Sequence, residues 1–180
     1  MFFSFNESAN KHKVFISFYH HDDQKYKEYI DKYLSQNIIN KSVKDGEYDP
    51  DNSDQYIKRL IREEKITDSS VVVVLVGPNT KGRKHVDWEI YAALRSQLGN
   101  LNSGLVGILL PNFPRNLDGS YQYKDLPARL ADNVKSGYAK VYDWKYAIYN
   151  FGAIIQDAFD NRISKRNLID NSRIQKKKNS

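Results

Sequence analysis

Six consecutive apolar residues, Val71-Val-Val-Val-Leu-Val76, nearly all of them β-branched, constrain the fold of this chain more than any other stretch. The run is far too short to span a membrane. Between Ser69-Ser70 and Gly77-Pro78-Asn79 it reads as a strand covered on both faces, as the central strands of parallel sheets are. Gly77-Pro78-Asn79 ends that strand. The segment after it, through His85-Val-Asp-Trp-Glu-Ile-Tyr-Ala-Ala-Leu94, predicts a helix that carries a carboxylate, Glu89, beside an indole, Trp88, in its first turn or two. An acid therefore stands beyond the carboxyl end of a central strand. In open α/β sheets ligands bind in the crevice outside those ends, where the strand order reverses.

The rest of the chain supplies the elements of such a sheet. Lys13-Val-Phe-Ile-Ser-Phe18 predicts a second buried strand, left through the polar stretch Tyr19-His-His-Asp-Asp23, which reads as a solvated loop with a helix cap. Tyr26, Tyr29, Ile30, Tyr33 and Leu34 then fall on one helical face. Residues 38–43 predict a short strand, and residues 44–53 a polar, turn-rich loop covering the crevice. Ser53 or Asp54 caps a helix with Tyr56, Ile57, Leu60 and Ile61 on its apolar side. Beyond the central helix come a strand at 105–110, stopped by Pro111, a long connection with a short helix from Pro127 to about Asn133, and a strand at 138–142. A last helix runs from about Lys145 to Ile163, with Ile148, Phe151, Ile155, Ala158, Phe159 and Ile163 on one face. This alternation predicts an α/β fold, flavodoxin-like, with a five-stranded parallel sheet in the order 2-1-3-4-5 and helices on both faces.

Charge and composition narrow the function classes. The chain has 180 residues and a net charge of +6, enough length for one domain with appendages: an N-terminal extension over 1–12, the domain over 13–163 and a basic tail over 164–180. No second globular domain is expected. The charge sits in the tail: Arg162 to Ser180 carries seven basic residues against Asp170 alone, while the remainder balances at 21 basic and 21 acidic residues. A neutral body argues against a nucleic-acid surface and leaves a polar tail expected to fray in solvent or to contact a second copy in a homo-oligomer. With no cysteine, disulfides and thiolate metal sites are excluded. The apolar opening, Met1-Phe-Phe-Ser-Phe5, has no basic region before it and meets Glu7, so it does not read as a signal peptide. No apolar run reaches the roughly 18 residues of a membrane helix. A cytoplasmic protein without membrane contact is the expectation.

Two boxes carry a family resemblance. Val14-Phe-Ile-Ser-Phe18 resembles the first signature box of TIR domains, and Glu89-Ile-Tyr-Ala-Ala-Leu94 resembles the segment bearing the catalytic glutamate of NAD-cleaving TIR domains. Phe15-Ile-Ser-Phe-Tyr19, the Asp45-Gly46 loop and Val86-Asp-Trp-Glu-Ile90 are similar to the TIR-like ThsB component of the Thoeris antiphage system. The resemblance covers roughly residues 13 to 144. The Arg-Asp-x-x-Pro-Gly loop of receptor TIR domains is absent, and Trp88 stands immediately before Glu89 rather than a turn earlier.

The resemblance implies cleavage of the bond between nicotinamide and ribose in NAD, with Glu89 catalytic and Phe18, Tyr19, Asp45, Gly46 and Trp88 binding substrate. NAD is then substrate, and neither cofactor nor metal is required. It further implies a signal of the cyclic ADP-ribose type that activates a separate, ThsA-like effector protein. The alternative is a non-catalytic TIR interaction or sensor module, in which Glu89 is only a favourable partner of the helix dipole and Trp88 only core. A nucleoside-transferring relative would use similar carboxylate chemistry. A two-component receiver would need a phosphoacceptor Asp where Val76-Gly77-Pro78 stands. His20 to Asp23 cannot all face one ion, and Asp45, Asp49, Asp51 and Asp54 do not meet EF-hand spacing. No Gly-rich phosphate loop occurs.

Overall fold

A computed structural model of the chain describes residues 11–42, 62–96 and 101–180. The predicted covering loop with Asp45 and Gly46, and the cap at Ser53 or Asp54, lie outside them. Five strands form the sheet: β1 (His12–Ser17), β2 (Ile38–Asn40), β3 (Val71–Val76), β4 (Gly104–Leu109) and β5 (Lys140–Asp143). Their order is β2-β1-β3-β4-β5 and every pairing is parallel, so the fold is the expected flavodoxin-like one. β3 lies between β1, with Val14 opposite Val71, and β4, with Val71 opposite Gly104. Flanked on both edges and covered on both faces, all six of its residues are buried, which is why the sequence there is unbroken Val and Leu.

Strand alternation divides the core in two. Phe15, Val72, Val74 and Val76 face α3 (Lys84–Leu94), α4 (Ala128–Lys135) and the helical residues 62–67, called α2 here. Val14, Ile16, Phe18, Val73 and Leu75 face α1 (His20–Tyr33) and α5 (Trp144–Ser164). α5 approaches β4 so closely that a Cβ on Gly104 would stand 2.0 Å from the Ala158 carbonyl oxygen, so only glycine fits there. Among the described residues no helix is long and apolar enough to cross a membrane.

The helix faces match the periodicity in part: Ile30, Phe151, Ile155 and Ala158 are core, and Tyr26, Leu34 and Phe159 pack against it. His20-His-Asp-Asp23 is the first turn of α1, not a loop, and Asp23 is buried at 1% exposure, whereas Tyr29 and Tyr33 lie largely on the surface. The buried stripe of α1 is Asp23, Lys27 and Ile30; Lys27 reaches out to pair with Asp31. On α5 the buried residues are Ala147, Phe151, Ile154, Ile155, Ala158 and Asn161, and Ile163 is exposed. The helix breaks register at Asn150, whose φ of −123° and ψ of 20° are non-helical, so a single face projected from Ile148 does not continue to Ile163.

The basic tail does not fray. Residues 170–180 run along α3 and α4, with Arg173 on Asp132 and Asn171 on Arg129. Arg129 is wholly buried, and its Nε donates to Asp87 Oδ1 at 2.9 Å. A guanidinium removed from water is tolerated only when paired and hydrogen-bonded. Asp87, Asn171 and the face of the Tyr91 ring, 5.1 Å away, supply that environment.

Two outcomes follow from these burials. Arg129→Ala removes the cation that balances buried Asp87, leaving it only the Lys176 amide, and is expected to lower unfolding free energy by about 3–5 kcal/mol in urea titrations, where a loss below about 1 kcal/mol would show the pair to be dispensable. Asp23 has its carboxyl pKa pushed up to about 6, first by burial and then by neighbouring Asp22. Its proton is therefore held more tightly in the folded state than in the unfolded chain. Its contribution to stability is complete below the unfolded pKa, about 3.9, and is lost as pH rises through 6. Asp23→Asn, which cannot ionise, should gain in Tm over the parent as pH goes from about 5 to about 8. A pH-independent Tm difference would refute this reading.

Candidate active site

At the switch point, between the carboxyl ends of β1 and β3, the structure brings together residues from three elements. Ser17 ends β1 with its side chain on the α3 side of the sheet, because Phe15 and Ser17 share a face while Ile16 and Phe18 take the other. Its hydroxyl donates to Glu89 Oε2 at 2.5 Å. Arg62, on α2, stands with Nε 3.4 Å from Glu89 Oε1. Glu89 itself is only 5% exposed. A buried carboxylate is thus held by a neutral donor on one oxygen and a cation on the other, which fixes its rotamer and compensates its desolvation.

Glu89 is the sixth residue of α3, so it lies in the second turn; the acid in the first turn is Asp87. The helix dipole acts mainly on the first turn. Charge complementarity at Glu89 therefore comes from Arg62 rather than from the helix end.

The segments flanking the site, the start of α1 and the loop after β3, are aromatic and basic. His85 Nε2 lies 3.1 Å from the Phe18 carbonyl oxygen, which can only accept, so that nitrogen carries the proton. The Arg83 guanidinium sits 4.2 Å from the centre of the Tyr19 ring, tying the start of α1 to the loop after β3. Beneath, Asn79 Nδ2 donates to Asp22 at 2.7 Å. The Gly77 amide donates to Thr80 Oγ1, which lies against Asp23. Among the described residues no group of three or more His, Asp or Glu side chains is placed to hold a metal.

The residues expected at the site divide accordingly. Glu89 is at its centre and Tyr19 at its rim. Phe18 contributes its carbonyl, but its ring is buried on the opposite face of the sheet among Val14, Ile16 and Ile30. Trp88 is turned to the tail: its indole N–H donates to the Lys176 carbonyl at 2.8 Å. Successive helical residues point about 100° apart, so its placement beside Glu89 in sequence does not bring it to the carboxylate's partners. Asp45 and Gly46 lie outside the described residues. Ser17, Arg62 and His85 were not singled out by the sequence. Ser17 stood inside the first box, where alternation alone sets it on the face of Glu89; nothing local marks Arg62 or His85.

Such a site can place one negative charge, shielded from bulk water, beside a group that develops positive charge. Against known proteins, a search among curated sequences finds no match. The family model described as Thoeris protein ThsB, TIR-like domain, matches residues 15–115, a span that runs from β1 through Glu89 to the connection after β4 and covers more than half of the chain. Two boxes, an all-parallel sheet in the order β2-β1-β3-β4-β5 and this match agree: the chain belongs to the Thoeris ThsB family of TIR-like domains, modules of an antiphage defence system.

Proposed function

We propose that this domain consumes NAD, with Glu89 as the catalytic carboxylate. The observation that carries the reading is the burial of Glu89 between the Ser17 hydroxyl and Arg62 at the switch point of the sheet. In the reaction, the bond between the ribose C1′ and the pyridinium nitrogen breaks heterolytically. Its electron pair goes to the ring, which leaves as neutral nicotinamide, and positive charge spreads over C1′ and the ribose ring oxygen. A fixed carboxylate in a water-poor site stabilises that charge more than it stabilises the ground state. The tight contact from Ser17, 2.5 Å, holds Oε2, and the longer one to Arg62, 3.4 Å, leaves Oε1 as the oxygen that takes a ribose hydroxyl.

The cation is then captured. Water gives ADP-ribose and releases a proton; an adenine nitrogen or a hydroxyl of the same molecule gives a cyclic ADP-ribose type product. Shielding from water favours the internal nucleophile, which is already held at high effective concentration. The product then acts as a signal on a separate effector protein of the defence system. NAD serves as substrate, and the chemistry asks for neither metal nor cofactor.

One observation favours a second reading, a non-catalytic interaction or sensor module. Both carboxylate oxygens of Glu89 already face partners, as they would in a purely structural tie between β1, α2 and α3. The two readings part on one variant. For a catalytic carboxylate, Glu89→Gln keeps the Tm within a few degrees and lowers kcat for NAD by at least about 10²–10³-fold. Ser17→Ala lowers kcat with KM nearly unchanged, and mass analysis of the parent's products shows nicotinamide with a species one water lighter than ADP-ribose. Undiminished turnover by Glu89→Gln removes it from the chemistry. Marked destabilisation of Glu89→Gln together with a parent that leaves NAD intact supports the structural tie.

A further inference from the structure

The helix that carries Glu89 lacks its own caps. Arg83, at the N-cap of α3, makes no side-chain capping bond, and at the other end Arg95 turns its amide to the Ala92 carbonyl, leaving the Tyr91 carbonyl outside the helical ladder. Helix termini leave such groups to be satisfied from elsewhere. Here both are met by one segment. Asn179 Oδ1 accepts from the Lys84 amide at 2.9 Å, and Asn171 Nδ2 donates to the Tyr91 carbonyl at 3.2 Å.

That segment is gripped through its own main chain. The Asn133 side chain takes residue 170 at both backbone groups: Nδ2 donates to the Asp170 carbonyl at 2.7 Å and Oδ1 accepts its amide at 2.9 Å. Adjacent side chains of α3 treat residue 176 in the same way. The Lys176 amide donates to Asp87 Oδ2 at 2.8 Å, and the Lys176 carbonyl accepts from the Trp88 indole at 2.8 Å. At the far end the Ser180 amide donates to the Gly82 carbonyl at 3.1 Å. Lys177 and Lys178, the most basic part of the segment, are exposed and stand outside this set of bonds.

We propose that residues 170–180 form a clamp, held by main-chain recognition together with the Arg173–Asp132 pair and owing nothing to Lys177 and Lys178, that caps both ends of α3 through Asn171 and Asn179 and positions Glu89. The inference rests on the reading of Glu89 as the catalytic carboxylate. Asp87 and Trp88, the two residues before Glu89, are where the clamp meets the helix, so the rotation of α3 that aims Glu89 at Ser17 is fixed from the opposite side. Asp87, Asn133 and Asn171 are positioning residues: none is bonded to Glu89, and each acts through the helix. Small displacements of a catalytic group are costly, so release of the clamp is expected to act on kcat and not on KM.

The test uses the full chain with Trp144→Phe, which leaves Trp88 as the single tryptophan reporter, since the chain has two. Lys176→Pro deletes the amide that donates to Asp87, together with the exposed bond from Lys176 Nζ to the Ser180 hydroxyl. The paired change Lys177→Ala/Lys178→Ala removes two charges and no clamp bond. The clamp predicts that Lys176→Pro red-shifts Trp88 emission, raises its quenching by acrylamide and lowers kcat for NAD about 10- to 100-fold at nearly constant KM. The alanine pair should match the parent in all three. In the unmodified chain, hydrogen exchange should be at least about tenfold slower at the Lys176 amide than at that of Lys178; this needs no variant to fold. Equal exchange at the two amides, an unchanged Trp88 in Lys176→Pro, or an alanine pair that behaves like the proline variant overturns the clamp. Exposure of Trp88 with unchanged kcat overturns its positioning role. A parent that turns over no NAD removes the catalytic reading instead, and the fluorescence and exchange comparisons still decide whether the clamp exists.

Discussion

Arg129, a cation with no exposure to water, is the constraint around which the Glu89 half of the molecule is arranged. Removing a guanidinium from water costs several kcal/mol, and an arrangement that left it unpaired would not persist. Asp87 must therefore face α4, the Tyr91 ring must stand near the guanidinium, and Asn171 must reach in from the tail. With Asp87 fixed toward α4, the 100° step of the helix decides where its neighbours go. Trp88 turns outward to the Lys176 carbonyl, and Glu89 turns inward to Ser17. One buried charge pair thus sets the azimuth of the helix on which the candidate chemistry depends.

The sheet supplies the other half of that geometry. β1 and β3 diverge in the direction of their connections, β1 leading to β2 and β3 leading to β4, and the crevice between their carboxyl ends is where Ser17 presents its hydroxyl. A strand pleat and a helical step, two periodicities with no chemistry of their own, meet there to hold a carboxylate between a hydroxyl and a guanidinium. The residues that make the contact come from positions 17, 62 and 89, separated in sequence and joined by topology alone.

How much of this could be read from the sequence follows from which forces are local. The Val71 run, the parallel order of the strands and the place of Glu89 after β3 were legible because continuous β-branched residues, turn dipeptides and β-α alternation act over short distances. Helix faces were less so. A tyrosine counts as apolar in a periodic pattern, yet Tyr29 and Tyr33 keep their rings at the surface while Asp23, counted as loop, is buried under Gly77 and Thr80. The tail was the largest surprise, because its composition is that of a solvated segment. Its order comes from main-chain bonds to Asn133, Asp87 and Trp88 and from scattered polar side chains, Asn171, Arg173 and Asn179, and neither leaves a periodic trace in the sequence. Arg62 and His85 were hidden for a related reason: a lone basic residue on a helix reads as solvated until the fold shows what it faces.

The account turns on whether the ribose of NAD comes to Glu89. The most direct measurement is a crystal structure of Glu89→Gln grown with NAD. The account predicts the nicotinamide ribose at the carboxyl ends of β1 and β3, with C1′ within about 4 Å of the residue 89 side chain and a ribose hydroxyl on the side of Arg62. NAD seated with its nicotinamide ribose away from residue 89, or on another face of the sheet, would contradict it.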